Sequence, residues 1–177
     1  MNESSSPRTT KPFSATNLAL SGMLAALVFT ATAFIKLPIP MTQGYAHLGD
    51  GIILLGAALL GWVAVPAAAL GSLLSDVALG YLPYAVPTFL IKGMVAAVAV
   101  LAGRQKSFGI RLLLLVLAEL FMVAGYFTAE WLVMGFGWAV ACAGLPGNFT
   151  QAASGVLIAI LLLPAFRRIK LPQAKRH

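Results

Sequence analysis

The chain has 177 residues, 60% of them hydrophobic and only 10% charged, with a net charge of +7. Soluble domains average about 45–50% apolar and about 25% charged residues, and a chain this small cannot hide so much apolar surface from water. Composition therefore excludes a soluble enzyme, a disordered regulator and a nucleic-acid reader, and predicts an all-α integral membrane protein. The single cysteine, Cys142, forms no internal disulfide and no thiolate metal cage.

A membrane-crossing helix needs about 20 apolar residues. Breaks at Gly, Pro and charge predict a bundle of six, over Phe13–Phe34, Leu48–Trp62, Pro66–Tyr81, Pro87–Ala102, Leu112–Met134 and Pro146–Phe166. The rival reading has five, with Leu48–Tyr81 as one bent element. The proline openings suit a helix's first turn. Residues 1–12 are expected to form a disordered cytoplasmic tail, residues 13–168 the six-helix membrane domain, and residues 169–177 a basic cytoplasmic tail. The first span is too long for the apolar region of an ordinary secretory signal and is read as retained.

Charge orients the bundle. With the N-terminus inside, Arg8, Lys11, Arg104, Lys106, Arg111, Arg167, Arg168, Lys170, Lys175 and Arg176 are cytoplasmic, the outer loops hold Lys36, and Lys92 lies within a span. This asymmetry follows the positive-inside rule. It predicts N- and C-termini on the cytoplasmic side, and it assigns the basic residues to lipid headgroups rather than to nucleic acid; the membrane is expected to be a bacterial plasma membrane.

Ionisable groups within spans are costly, so each needs a reason. Asp50 stands about one turn into a span entered from outside. Asp76 and Lys92 each lie five residues from the expected outer end of a span, about 8 Å below it. Glu130 is near the outer end of the fifth span, and Asn148 and Gln151 open the sixth. Tyr45, Tyr84, Phe89, Tyr126, Trp131 and Trp138 share this level, whereas Glu119 lies nearer mid-membrane. Convergent polar groups among aromatic rings predict a small-molecule pocket open to the outside and suited to a planar heterocycle. Structural roles compete with this one: Asp76 and Lys92 neutralising each other, Asn148 as a helix cap, Trp131 and Trp138 as interface-belt residues, and His47 as a surface residue. In the first span Ser21/Ala25 and Gly22/Ala26 form a face of small residues that permits close helix approach.

The chain lacks a phosphate-binding loop and clustered metal ligands, so no ATPase, catalytic or metal site and no cofactor are expected. Asp50 and Asp76 lack the context of an intramembrane aspartyl protease.

Ile39-Pro40, Leu48-Gly49-Asp50, Gly71-Ser72-Leu73-Leu74-Ser75-Asp76 with Gly80-Tyr81, Thr88-Phe89-Leu90-Ile91-Lys92-Gly93, Glu119 with Gly125-Tyr126-Phe127 and Glu130, and Pro146-Gly147-Asn148 with Gln151 and Gly155 together resemble the S components, the substrate-binding membrane subunits, of energy-coupling factor (ECF) vitamin transporters, riboflavin-type branch. The resemblance covers nearly all of Phe13–Phe166. It implies a subunit of an ABC-type importer that captures a vitamin or precursor (hydroxymethylpyrimidine, pyridoxine or riboflavin-like) from outside. Delivery would run through a transmembrane coupling subunit carrying two ATPases. Tyr45, Asp50, Asp76, Tyr84, Phe89, Lys92, Tyr126, Glu130, Asn148 and Gln151 are the expected substrate-binding residues. Gly22 and Ala26, with Ser21 and Ala25 beside them, would contact the coupling subunit, and Lys36–His47 would form an outer lid. The alternatives are a stand-alone carrier, proton-coupled through Glu119, and a non-transporting membrane scaffold.

Overall fold

The computed structural model describes residues 14–38 and 45–168; both expected tails lie outside them, as does the middle of the expected lid. Six α-helices follow in chain order: α1 (Ala15–Phe34), α2 (Gly49–Leu60), α3 (Ala64–Ala78), α4 (Leu82–Arg104), α5 (Phe108–Thr128) and α6 (Trp138–Phe166). Two three-residue strands, β1 (Lys36–Pro38) and β2 (Tyr45–His47), pair antiparallel between α1 and α2, with Lys36 opposite His47. Ser14 caps α1 by accepting the Asn17 N–H at 3.1 Å, as an N-terminal serine does.

Among the described residues, five stretches are long and apolar enough to cross a bilayer, not six, because Gly49–Ala78 counts as one stretch of 30 residues. Neither half reaches the length of a full span: α2 has 12 residues and α3 has 15, about 18 and 22 Å against a hydrocarbon core of about 30 Å. A 3₁₀ turn at Gly61–Val63 joins them. Gly61 has φ +74°, the left-handed region that glycine enters without penalty, and its N–H closes α2 on the Ala57 carbonyl.

Helix directions follow from paired contacts. Asp50 meets Lys92 and Ala58 meets Gly103, so α2 and α4 run the same way. Ser21 donates to the Val63 carbonyl, Ala25 packs on Gly71, and Ser75 donates to the Phe29 carbonyl, so α1 and α3 run together. A tight turn at Leu79–Tyr81 reverses α3 into α4. The chain thus turns back at Gly61–Val63 as well. The start of α1 and the end of α6 share one end of the bundle, and the strands lie at the other.

Two helices begin earlier than their prolines suggest. α4 starts five residues before Pro87 and α6 eight residues before Pro146, leaving both prolines inside helices. Proline lacks an N–H and frees the carbonyl four residues before it, a defect that packed membrane helices accommodate. At its C-terminal end α5 widens into a π-turn, Ala129–Val133, closed by the Met134 N–H on the Ala129 carbonyl at 2.8 Å.

The core is built largely of alanine and glycine, including Ala57, Ala64, Ala67, Ala68, Ala96 and Ala99. Lipid is as apolar as a leucine side chain, so helices in it associate by close packing rather than by hydrophobic burial. A Cβ on Gly71 would stand 2.6 Å from the Ala25 carbonyl oxygen, and one on Gly103 would stand 2.5 Å from that of Ala58. Both neighbours are backbone and cannot step aside. Gly71→Val is therefore expected to cost about 1–3 kcal/mol and to lower the melting temperature in detergent by several degrees. Gly22→Ala, whose Cβ meets nothing within 4 Å, should leave that temperature unchanged.

Candidate functional site

The apolar packing encloses a column of polar groups in three tiers. Their placement comes from helix spacing. Tyr84, Thr88 and Lys92 recur every four residues on α4 and so share one face. α5 runs antiparallel to α4 and presents Glu130, Tyr126, Met122 and Glu119 against it. All of these side chains are buried.

In the outer tier the Tyr84 hydroxyl donates to Glu130 Oε1 at 2.8 Å, and the Tyr84 ring tilts against Tyr126 and Phe136. In the middle tier the Thr88 and Tyr126 hydroxyls are 3.0 Å apart. Buried Asp76, near the end of α3, is close enough to Tyr84 and Tyr126 to act on both hydroxyls electrostatically.

The inner tier centres on an ion pair. Lys92 Nζ donates to Asp50 Oδ1 at 2.6 Å and to Oδ2 at 2.8 Å, and both side chains are fully buried. The expected partner of Lys92 was Asp76; Asp50 takes that role, because α2 and α4 run together and bring the second residue of α2 beside the eleventh of α4. Gln151 of α6 donates to Asp50 Oδ2 at 2.6 Å and accepts the His47 backbone N–H at 2.9 Å. It thereby ties β2 to the ion pair. The Tyr126 ring lies 5.2 Å from Lys92 Nζ, within cation–π range. Glu119 is 1% exposed, and neither of its carboxyl oxygens has a hydrogen-bond partner.

Other expected positions move. Asn148 and Gln151 do not open the last span but stand ten and thirteen residues inside α6, so Asn148 is a buried mid-helix residue rather than a cap. The longer α4 likewise sinks Lys92 to about 15 Å from the helix start. The polar set thus spans three depths rather than one outer level. Phe89 is half-buried on α4. Tyr45 lies in β2, and its side chain is outside the described set. Trp131 and Trp138 are 40% and 58% exposed and meet edge to face at 5.0 Å, with Phe127 against both; this is an outward-facing aromatic cluster rather than pocket lining.

The polar column also includes residues not expected there, Thr88, Glu119 and His47. The four-residue recurrence Tyr84, Thr88, Lys92 is the signal that marks Thr88. His47 is buried, not a surface residue. Its Nδ1 accepts the Gly49 N–H at 3.0 Å, which leaves the ring proton on Nε2. Burial above all, then the Lys92 ammonium, pushes the imidazole down to about 3 against the opposing pull of Asp50.

Removing one member of a buried ion pair strands the other charge. Lys92→Ala is expected to cost about 3–5 kcal/mol, while Asp50→Asn combined with Lys92→Met should regain most of that loss in thermal unfolding. For His47, the unfolded chain binds a proton near pH 6.5 that the folded state excludes down to about 3. Stability is therefore full above about pH 6.5 and falls as pH drops toward 3, by about 2–3 kcal/mol at pH 4.5. Unfolding of His47→Asn measured across that range should show a flatter pH dependence than the parent chain.

Two comparisons place the chain among known proteins. A protein of Pyrococcus woesei described as an uncharacterized protein in the gap 3′ region is 36% identical over 133 residues, covering 74% of this chain and 88% of the relative. The family model described as ECF-type riboflavin transporter, S component, matches residues 12–168. This multi-pass membrane chain belongs to the ECF-type riboflavin transporter S component family.

Proposed function

We propose that the chain is the substrate-binding subunit of an ECF-type ABC importer. It would capture a vitamin or vitamin precursor from outside, with hydroxymethylpyrimidine, pyridoxine and riboflavin-like molecules the candidates, and pass it inward through a coupling subunit driven by two ATPases. The observation that carries the reading is the buried three-tier column, in which an ion pair, two tyrosine hydroxyls and three further carboxyl groups from four helices converge beneath the β1–β2 strands. An apolar bundle meets the cost of so many buried polar groups only where they work.

In this reading the chain crosses the membrane six times, with α2 and α3 as short crossings and both termini cytoplasmic, in a bacterial plasma membrane. The reversal at Gly61–Val63 and the gathering of Arg104, Lys106, Arg111, Arg167 and Arg168 at the end opposite the strands support it. Asp50, Asp76, Tyr84, Phe89, Lys92, Tyr126, Glu130, Asn148 and Gln151 form or support the pocket, with Tyr45 on the covering strand.

The two small-residue pairs of α1 divide their work. Ser21 and Ala25 turn inward, onto the Val63 carbonyl and Gly71. Gly22 and Ala26 are exposed. This supports Gly22 and Ala26 as the contact for the coupling subunit.

A second reading rests on Glu119, whose buried and unpartnered carboxyl suits a proton carrier in a stand-alone transporter. Reconstitution separates the two. The importer reading expects tight binding of one vitamin-type ligand by the lone chain in detergent, read by tryptophan fluorescence, and uptake only with the coupling subunit, the ATPases and ATP. Gly22→Leu with Ala26→Leu should abolish uptake and leave binding intact, whereas Asp76→Asn should weaken binding at least tenfold. Uptake by the lone chain in liposomes under a pH gradient, without ATP, would overturn the importer reading in favour of the second.

A further inference from the structure

A groove of about 830 Å³ runs between α4 and α5 on the face turned away from the polar column, within the range of about 300–1,000 Å³ that small-molecule pockets occupy. Short side chains make it. Pro83 and Pro87 keep α4 low there, and Ala124 and Gly125 do the same for α5. A Cβ on Gly125 would stand 2.9 Å from Ile91 Cγ1, so the two helices touch at that point and close the floor. Val86, Leu90 and Phe121 line the groove and are exposed on the outside of the bundle.

Three features say what fills it. The first is dryness. Among the described residues that line the groove, Thr128 carries the only side-chain oxygen or nitrogen, and its hydroxyl donates to the Ala124 carbonyl at 2.8 Å. Pro87 leaves the Pro83 carbonyl without its helical N–H, which adds a single acceptor, whereas a held water needs two to four polar partners. The second is length. On α5 the groove extends from Phe121 to Val133, twelve residues and about 18 Å, close to the depth of one leaflet, half of a hydrocarbon core of about 30 Å. Beyond Phe121 the same faces carry exposed Leu113 and Leu117 on α5 and Met94 and Leu101 on α4, and the groove stops. A crossing helix needs a seam through the whole core; this slot serves half of it. The third is its open end. Next to Val133 stand Trp131 and Trp138, edge to face at 5.0 Å, with Phe127 against both, an aromatic group of the kind that marks headgroup level.

We propose that the groove between α4 and α5 is a binding site for one acyl chain of a membrane phospholipid, whose headgroup lies at the Trp131–Trp138 end. The proposal needs the membrane setting of the bundle and not the importer reading. The site is separate from the polar column but shares its wall. Ile91 and Lys92, Gly125 and Tyr126, and Ala129 and Glu130 are consecutive residues, the first of each pair lining the groove and the second buried in the column. The Phe136 ring lines the groove as well and stands 6.3 Å from the Tyr84 ring. A chain seated there backs the Tyr84–Glu130 hydrogen bond from the lipid side.

Photolabelling tests it on the full chain. The protein in nonionic detergent would be given phosphatidylcholine with a diazirine midway along one acyl chain, irradiated and mapped by peptide. Label in residues 83–91 and 121–133 is expected at least tenfold above that at Leu18, Met23 and Leu27 of α1, which are exposed on a helix outside the groove, and it should saturate at one lipid per chain. Ala124→Phe, which fills the groove from an exposed position, should lower that label to the α1 level. It should also abolish the rise of several degrees in melting temperature that the same lipid gives the wild-type chain. Label spread evenly over the exposed positions of all helices overturns the proposal, and this outcome is read on the wild-type chain alone. Groove label that survives Ala124→Phe in a folded chain overturns it too. So does a chain that is dimeric in detergent and becomes monomeric with Ala124→Phe, a result that assigns the groove to a second copy.

Discussion

Everything in the interior is arranged around one constraint: a lysine ammonium sits fully buried in the middle of an apolar bundle. Moving an ion out of water costs several kcal/mol even after relaxation. Lys92 meets that cost through a carboxylate on another helix, held by both oxygens, with an aromatic face nearby. Asp50 in turn needs more than Lys92, and the Gln151 amide supplies it. Gln151 can be oriented only because its carbonyl takes the His47 N–H. His47 is itself locked by the Gly49 N–H, one residue before Asp50. The chain of dependence closes on itself and links α2, α4, α6 and β2. A buried pair of this kind contributes little net stability compared with apolar residues of equal volume. What it does fix is relative placement, since the bonds tie α2, α4 and α6 to one another at Asp50.

The rest of the bundle is what permits that placement. Side chains of ordinary size between α1 and α3, or between α2 and α4, would hold the backbones apart. Gly71 and Gly103 let those backbones touch, and runs of alanine continue the contact. Small residues and buried charges thus answer the same problem from two sides. In lipid, helix association has no hydrophobic drive, so it comes from close van der Waals contact and from polar groups that find no other partner.

Much of this was legible in the sequence and some was not, for physical reasons. The membrane class, the helical content and the identity of most polar residues in the column follow from composition and from the cost of charge in lipid. The helix limits expected at Pro87 and Pro146 differ from those observed, because the rule that proline starts a helix comes from soluble proteins, where the chain can leave the helix and bond to water; in lipid the backbone has no such alternative and the helix continues through the proline. That error propagated: a later start for α4 and α6 placed Lys92, Asn148 and Gln151 too near the surface and merged three tiers into one. Pairing was illegible for a different reason. Asp76 and Asp50 are equally plausible partners for Lys92 by depth, and only the relative direction of α2, α3 and α4 decides between them. A residue at a loop end is expected at the surface, yet His47 ends a strand, β2, and is bonded into the core.

The two ends of the site obey opposite rules, and this connects packing to binding. On the α4 side every polar group has a partner from another helix, so the tiers on that face hold one another rigid. On the α5–α6 side, glycines face carboxyl oxygens that have no hydrogen-bond partner. An alanine at either glycine would press its methyl on a neighbouring side chain, 2.9 Å from Glu130 Oε2 at Gly144 and 3.1 Å from Asp50 Cβ at Gly155, and a methyl offers an unpaired oxygen no donor. Retaining a buried carboxyl group whose oxygens lack a donor, as at Glu119, makes sense where the missing donor arrives with a ligand. The fold then supplies a fixed wall on one side and unmet hydrogen-bonding capacity on the other, and binding energy comes from completing what folding left incomplete.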